Sequence, residues 1–230
     1  IEGLGEVPET WIVGPLKLFV RSNLETLSGK TEEDYELDYI DISAVGYGFL
    51  KSDPAHYRFD EAPSRARRIV HEGDTIISTV RTYLRSICYI DAELEGKIAS
   101  TGFSVLTPNN KIHPELLNSA LSANYFINSV VKNSVGTSYP AITDEKLLNL
   151  RLAILATWNE QETLVSEIKN KTSSIEEAIQ KLKIQLKLLV ELKNREMLDA
   201  VLGNVDLRNF VVPEYSFDIE EEIDDFDDES

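Results

Sequence analysis

From Gly5 to Ile154 short apolar runs alternate with turn residues, and Gly, Pro, Asn and Asp supply the punctuation. That pattern predicts a mixed α and β domain rather than a succession of helices. Asp74 to Val80, Arg85 to Ile90 and Gly102 to Leu106 carry the β-branched and aromatic content of strands, and turns such as Glu95-Gly96-Lys97 and Pro108-Asn109-Asn110 bound them. Pro114 to Val131 repeats Leu117, Ala120, Leu121, Phe126, Ile127 and Val130 near a helical period, which predicts a helix. Thr143 caps a shorter helix opening on Asp144-Glu145-Lys146, and the domain, residues 1–156, closes at Ala156.

After Ala156 the period changes. Asn159, with Glu162 three residues on, is a candidate cap for a new helix, and Leu164, Ile168, Ile175, Ile179, Leu182, Leu186 and Leu189 follow mostly in steps of four and three. This heptad seam predicts a long coiled-coil helix over residues 157–203. Running from Glu160 to a stop at Gly203, it would be about 65 Å long. A partner helix is expected along the seam; the alternative is an amphipathic helix lying on its own domain. Thr172-Ser173-Ser174 joins three poor helix formers, and Ser174 with Glu177 could restart the helix, so a kink can fall there. Residues 204–230 read as a solvated acidic tail with isolated Ile219, Ile223 and Phe226. The fold class expected is therefore α/β, a mixed α+β domain followed by a long coiled-coil α-helix.

Composition alters this picture in a few places. Hydrophobic residues make up 42% and charged residues 27%, and no apolar run reaches the roughly 20 residues of a membrane span, so a soluble protein is expected. The lone cysteine, Cys88, has no partner for a disulfide or a thiolate metal site, which fits a reducing cytoplasm. The first residue is Ile1, with no export signal near it, so a trimmed or fragmentary start is expected. The net charge of -17 is hostile to nucleic acid at first sight, but ten carboxylates and no Lys or Arg fall in residues 214–230, which leaves -7 for the rest.

Two groups of residues carry DNA-binding chemistry. Arg65, Arg67 and Arg68 cluster after Pro63, and Arg81 and Arg85 bracket Thr82-Tyr83-Leu84. Guanidiniums beside hydroxyl and aromatic groups grip phosphates and read guanine edges, although ordinary surface charge with Tyr83 packed in the core would give the same composition. Asn133 to Pro140 gathers Ser134, Thr137, Ser138 and Tyr139 around Gly136, which suits base-edge and phosphate contacts and equally suits any polar turn. His56, His71 and His113 are dispersed, with no metal-site spacing, and Gly46-Tyr47-Gly48 lacks the third glycine of a dinucleotide loop. Two further classes stay open. Asp74 with Glu95-Gly96-Lys97 resembles the carboxylates and lysine of a metal-dependent nuclease, and the acidic balance could make the chain a decoy that imitates DNA phosphates.

Several stretches in order resemble the specificity subunit of type I restriction-modification systems. They are Gly5-Glu6-Val7-Pro8-Glu9-Thr10-Trp11, Gly73 to Arg81, Ala99-Ser100-Thr101-Gly102-Phe103-Ser104-Val105-Leu106, Ser134-Val135-Gly136-Thr137, and Glu160-Gln161 opening the long helix. The chain departs from the family at Ala156-Thr157-Trp158-Asn159, where a proline-rich joint is usual. It departs again at Arg85-Ser86, where Gly-Lys often follows Tyr-Leu, and in its acidic tail. Family members carry two recognition domains and two long helices, so this chain looks like a half-subunit. The resemblance implies a target-recognition domain on double-stranded DNA, with Ser78 and Thr79 joining the arginines, Tyr83 and the Ser134 to Tyr139 loop as contacts. It also implies a homodimer paired through the long helix, and docking to methyltransferase subunits, with a restriction subunit as a further partner. The chemistry, adenine methylation with S-adenosylmethionine, would be the partner's. This chain has no Asn-Pro-Pro-Tyr-like tetrapeptide to hold a flipped adenine, so a non-catalytic role is expected.

Overall fold

In the computed structural model, which describes residues 5–204, contacts divide the chain into two units, Ile1–Lys171 and Thr172–Ser230. The expected acidic tail lies outside the described residues from 205 onward.

The first unit opens with β1 (Trp11–Pro15), β2 (Val20–Ser22), β3 (Glu36–Ile40), β4 (Ala55–Arg58) and β5 (Ala66–Ile69). It continues with β6 (Thr75–Ser78), β7 (Ile87–Tyr89), β8 (Ile98–Ser100) and β9 (Phe103–Pro108). Helices α1 (Pro114–Ser122), α2 (Asn124–Lys132) and α3 (Asp144–Asn149), then β10 (Arg151–Leu155), lead into α4 (Trp158–Val201). The strands form three sheets, ordered β2-β9-β6-β7, β4-β3-β8-β5 and β1-β10. Every pairing is antiparallel except that of β3 with β8. β6 is buried at all four positions, which explains its unbroken Thr-Ile-Ile-Ser rather than an apolar-polar alternation. On one side Ile77 and Leu106 pack with Leu117, Leu121, Phe126 and Val130 of the helices; on the other Ile76, Val105 and Phe103 pack with Ile40, Val70 and Ile90.

The three strands expected from composition are present, as β6 and β7 with shortened ends and as β9, which starts one residue later and runs on to Pro108; Thr143 caps α3 by accepting a hydrogen bond from Lys146 N at 3.3 Å. The single helix expected from Pro114 to Val131 is two. Ala123 is extended, with φ -65° and ψ 139°, between α1 and α2. Ser119, Ser122 and Asn124 lower helix propensity there, and the break lets Leu117 and Leu121 of one helix and Tyr125, Phe126 and Ile127 of the other all reach the core. The cap of α4 also lies two residues earlier than Asn159. Thr157 Oγ1 accepts from Glu160 N at 3.4 Å while the Glu160 carboxylate accepts from Thr157 N at 3.2 Å. A Thr-x-x-Glu box satisfies two amides reciprocally, whereas Glu162 instead accepts from Trp158 Nε1 at 3.0 Å. α4 continues through Thr172-Ser173-Ser174, so helix is kept at the expected weak point, where the boundary between the two units also falls.

Candidate nucleic-acid interface

β6 ends at Ser78, and the chain that leaves it is shaped by unusual backbone. Ser78 is buried and its hydroxyl donates to Val80 O at 2.6 Å, so it builds the turn from inside and is not on the surface expected for a DNA contact. Half-buried Thr79 donates through both N and Oγ1 to Gly102 O, at 2.8 and 2.9 Å. Gly102 also leaves room for a neighbour, because a Cβ there would collide with Ile42 Cδ1. Arg81 then adopts φ 48° and ψ 48°, and Arg85 φ 54° and ψ 35°, with a 3-10 turn, Thr82–Leu84, between them. The left-handed region costs a non-glycine residue about 1–2 kcal/mol, so two such arginines around one turn are held there by their surroundings.

Those surroundings come from the loop after α2. Val135 and Ala141 exchange two backbone hydrogen bonds, at 2.8 and 3.0 Å, closing the loop, while Arg81 N donates to Pro140 O at 2.7 Å. Ser134 Oγ donates to Val130 O at 2.8 Å and so receives the proton of buried Thr82 Oγ1, also at 2.8 Å. The Arg81 guanidinium carbon lies 4.5 Å from the centroid of the Tyr139 ring, a cation–π contact. Two stretches far apart in sequence, Arg81–Arg85 and Ser134–Tyr139, thus form one surface. Gly136, with φ 122°, makes the loop possible, and Thr137, Ser138 and Tyr139 are exposed beside it. Tyr83, at 51% exposed, is not the core residue its composition allowed.

The other arginines separate. Arg65 is exposed, and its carbonyl accepts from Thr101 N at 2.8 Å next to Gly102. Arg67 lies over the Phe59 ring at 4.6 Å and donates to Ala66 O at 2.7 Å. Arg68 is committed internally, 3.6 Å from the Asp144 carboxylate, and burial pushes its pKa down against the pull of that carboxylate. Asp144 also accepts from Asn23 Nδ2 at 2.9 Å, so Arg68 belongs to a network that ties β5 to α3 rather than to a DNA-facing cluster.

Two of the nuclease-like residues, Asp74 and Glu95, are both bonded to His71, and Lys97 is paired elsewhere. Asp74 is buried and accepts from His71 N at 2.9 Å; Glu95 pairs with His71 Nδ1 at 2.7 Å; Lys97 Nζ donates to Asp38 at 3.0 Å. Among the described residues no group of three or more His, Cys, Asp or Glu is placed to hold a metal ion. The Glu95 hydrogen bond raises the His71 pKa, with burial opposing it and Glu25, 3.3 Å from Nε2, adding to it. Asp38 is held below the usual carboxylate range by hydrogen bonds from His56 and then Lys97.

No protein-family model matches the chain, and no curated protein matches it. Solved structures do. A chain from a structure of complex assembly and conformational transition in the type I R-M system is 28% identical with a TM-score of 0.66, over 91% of this chain and 53% of that one. The HsdS subunit from Thermoanaerobacter tengcongensis is 27% identical with a TM-score of 0.65, over 93% of this chain and 54% of that one. The structural neighbours of this chain are type I specificity subunits. The type I S subunit from M. genitalium, at 12% identity and a TM-score of 0.54 over 84% of this chain and 47% of that one, shares the fold. The chain spans about half the length of these specificity subunits.

Within this specificity-subunit fold, the Glu160-Gln161 pair has a structural purpose that sequence alone did not disclose. Gln161 is buried; its Nε2 donates to Lys111 O and Leu155 O at 3.0 and 2.9 Å, and its Oε1 accepts from His113 N at 2.8 Å. The amide therefore fastens the first turn of α4 to the β9–α1 loop and the end of β10. Val165 is buried and Leu164 and Ile168 are half-buried, so the first two seam residues pack within the first unit. In the second unit Ile175, Ile179, Leu182, Leu186 and Leu189 are between 45% and 64% exposed.

Proposed function

We propose that the chain is a sequence-specific DNA-binding specificity subunit of a type I restriction-modification system, which holds a separate adenine methyltransferase, and a restriction subunit, on its site. The observation that carries this reading is the likeness to type I specificity subunits over more than nine-tenths of the chain. The rim built from Arg81, Arg85 and the Ser134 to Tyr139 loop supports it, because it offers guanidiniums, hydroxyls and an aromatic ring on one exposed surface. S-adenosylmethionine would be bound by the methyltransferase subunit, and the assembly would work in the cytoplasm.

The exposed seam of α4 supports pairing with a second copy, which would present two recognition domains to DNA. Five apolar residues in heptad register, open to solvent, are what a coiled-coil interface requires. Methylome sequencing of cells with and without this chain, alongside its methyltransferase, tests the central reading. A sequence motif methylated only when the chain is present is the expected result. Methylation that is identical without it would overturn the proposal.

A further inference from the structure

The turn between the two left-handed arginines carries an apolar tip. Tyr83 is 51% exposed and Leu84 48%, while Thr82 beneath them is buried and bonded to Ser134. The turn is rigid: Leu84 N donates to Arg81 O at 2.9 Å, Arg85 N to Thr82 O at 3.2 Å, and Arg85 Nη1 to Asn124 Oδ1 at 3.2 Å. Two solvent-exposed apolar side chains on a fixed turn, flanked on both sides by cations, are placed for a surface that is anionic around an apolar feature. Duplex DNA offers such a feature in one place. The donors and acceptors of the base edges need polar partners, which Leu84 cannot supply, and the only apolar group on any base edge is the C5-methyl of thymine, in the major groove.

We infer that the Tyr83–Leu84 tip reads a thymine methyl group beside the base contacted by Arg81. The inference rests on the DNA-reading function proposed above and adds the base to it. Arg81, stacked on Tyr139, supplies the hydrogen-bonding half of the readout, and the tip supplies the apolar half. The recognised sequence therefore contains a thymine next to the position that Arg81 specifies.

The test uses the full chain in complex with its methyltransferase and synthetic duplexes carrying the motif that this complex methylates, with each thymine replaced in turn by deoxyuridine. One replacement, adjacent to the position relaxed by Arg81→Ala, is expected to weaken binding about three- to tenfold, as loss of one buried methyl should. Leu84→Ser is expected to bind the thymine and deoxyuridine duplexes alike at that position, while Tyr83→Phe keeps the preference. No thymine on either strand next to the position relaxed by Arg81→Ala, or a preference unchanged in Leu84→Ser, would overturn the inference while leaving the DNA-reading function standing. Loss of the methyltransferase subunit from the Leu84→Ser complex would overturn it too, by making the tip a protein contact. If the wild-type complex binds every deoxyuridine duplex as it binds the thymine duplex, the inference fails and the DNA-reading function stands; if it binds a duplex of unrelated sequence as tightly as the motif, the DNA-reading function itself fails, and the inference with it.

Discussion

Arg81 joins two properties that a single substitution can separate. Its backbone is in a region that glycine occupies without strain, and its side chain provides a positive charge over Tyr139. Arg81→Gly is therefore expected to unfold in urea no earlier than wild type, whereas methylation at the cognate motif falls; Arg81→Ala keeps the strain and should cost about 1–3 kcal/mol in cognate binding if the contact is to a guanine edge. A relaxed motif in methylome data identifies a base contact, and uniform loss a phosphate contact. Gly102 is the opposite case. A Cβ there meets Ile42, and Gly102→Ala is expected to destabilise by about 1–3 kcal/mol in equilibrium unfolding, because the Ile42 side chain, packed against the core, would have to move. His71 gives the fold a pH dependence. Its folded pKa is raised by Glu95 and Glu25, so the stability it contributes is fully present below its unfolded pKa, about 6.5, and is lost as pH rises through the folded value. The urea midpoint of His71→Gln should fall below wild type at about pH 5.5, with the gap closing on the alkaline side. A gap that widens with pH would mean that the ion pairs are not what stabilises the turn.

At the scale of elements, local chemistry was legible where it was self-contained. The β-branched run of β6, the Thr143 cap and the hydroxyl-rich loop around Gly136 each depend on neighbours in sequence, and each is found where its residues indicate. The meeting of that loop with Arg81 depends on the bridge of Ala141 to Val80 and could not be read from spacing; the two stretches had been linked only by resemblance. The break at Ala123 and the cap at Thr157 were missed because both are chosen by what the flanking residues bury or bond, not by periodicity. Arg68 was misplaced because a half-buried guanidinium paired with a carboxylate distant in sequence looks there like any surface cation. Gln161 shows the energetic weight of such hidden contacts. Gln161→Leu removes three part-buried hydrogen bonds, to Lys111 O and Leu155 O and from His113 N, and buries no polar group in their place, so a loss of about 2–4 kcal/mol in unfolding free energy is expected, a large share of a domain's margin.

For the whole molecule, charge and symmetry set the expectations. With -7 outside the acidic segment, few surplus cations are present to displace counterions, so the isolated chain is expected to bind duplex weakly and the methyltransferase complex far better; gel-shift titrations against salt measure this. Pairing through the exposed seam would make the DNA site two inverted half-sites with a fixed gap. Replacing Ile179 and Leu186 by Lys should yield monomers in light scattering and abolish methylation at that two-part site, while urea unfolding of the recognition domain is unchanged. The unequal burial of α4 has a kinetic counterpart. Backbone amides near Gln161 and Val165 are anchored by the first unit and should exchange with deuterium only as slowly as that unit opens, whatever the protein concentration. Amides from Ile175 to Leu189 have no such anchor among the described contacts, and a lone helix of this kind is only marginally stable in water. Their exchange should slow as the chain is concentrated and speed up on dilution, so that one continuous helix reports two different equilibria, one set by folding and the other by mass action.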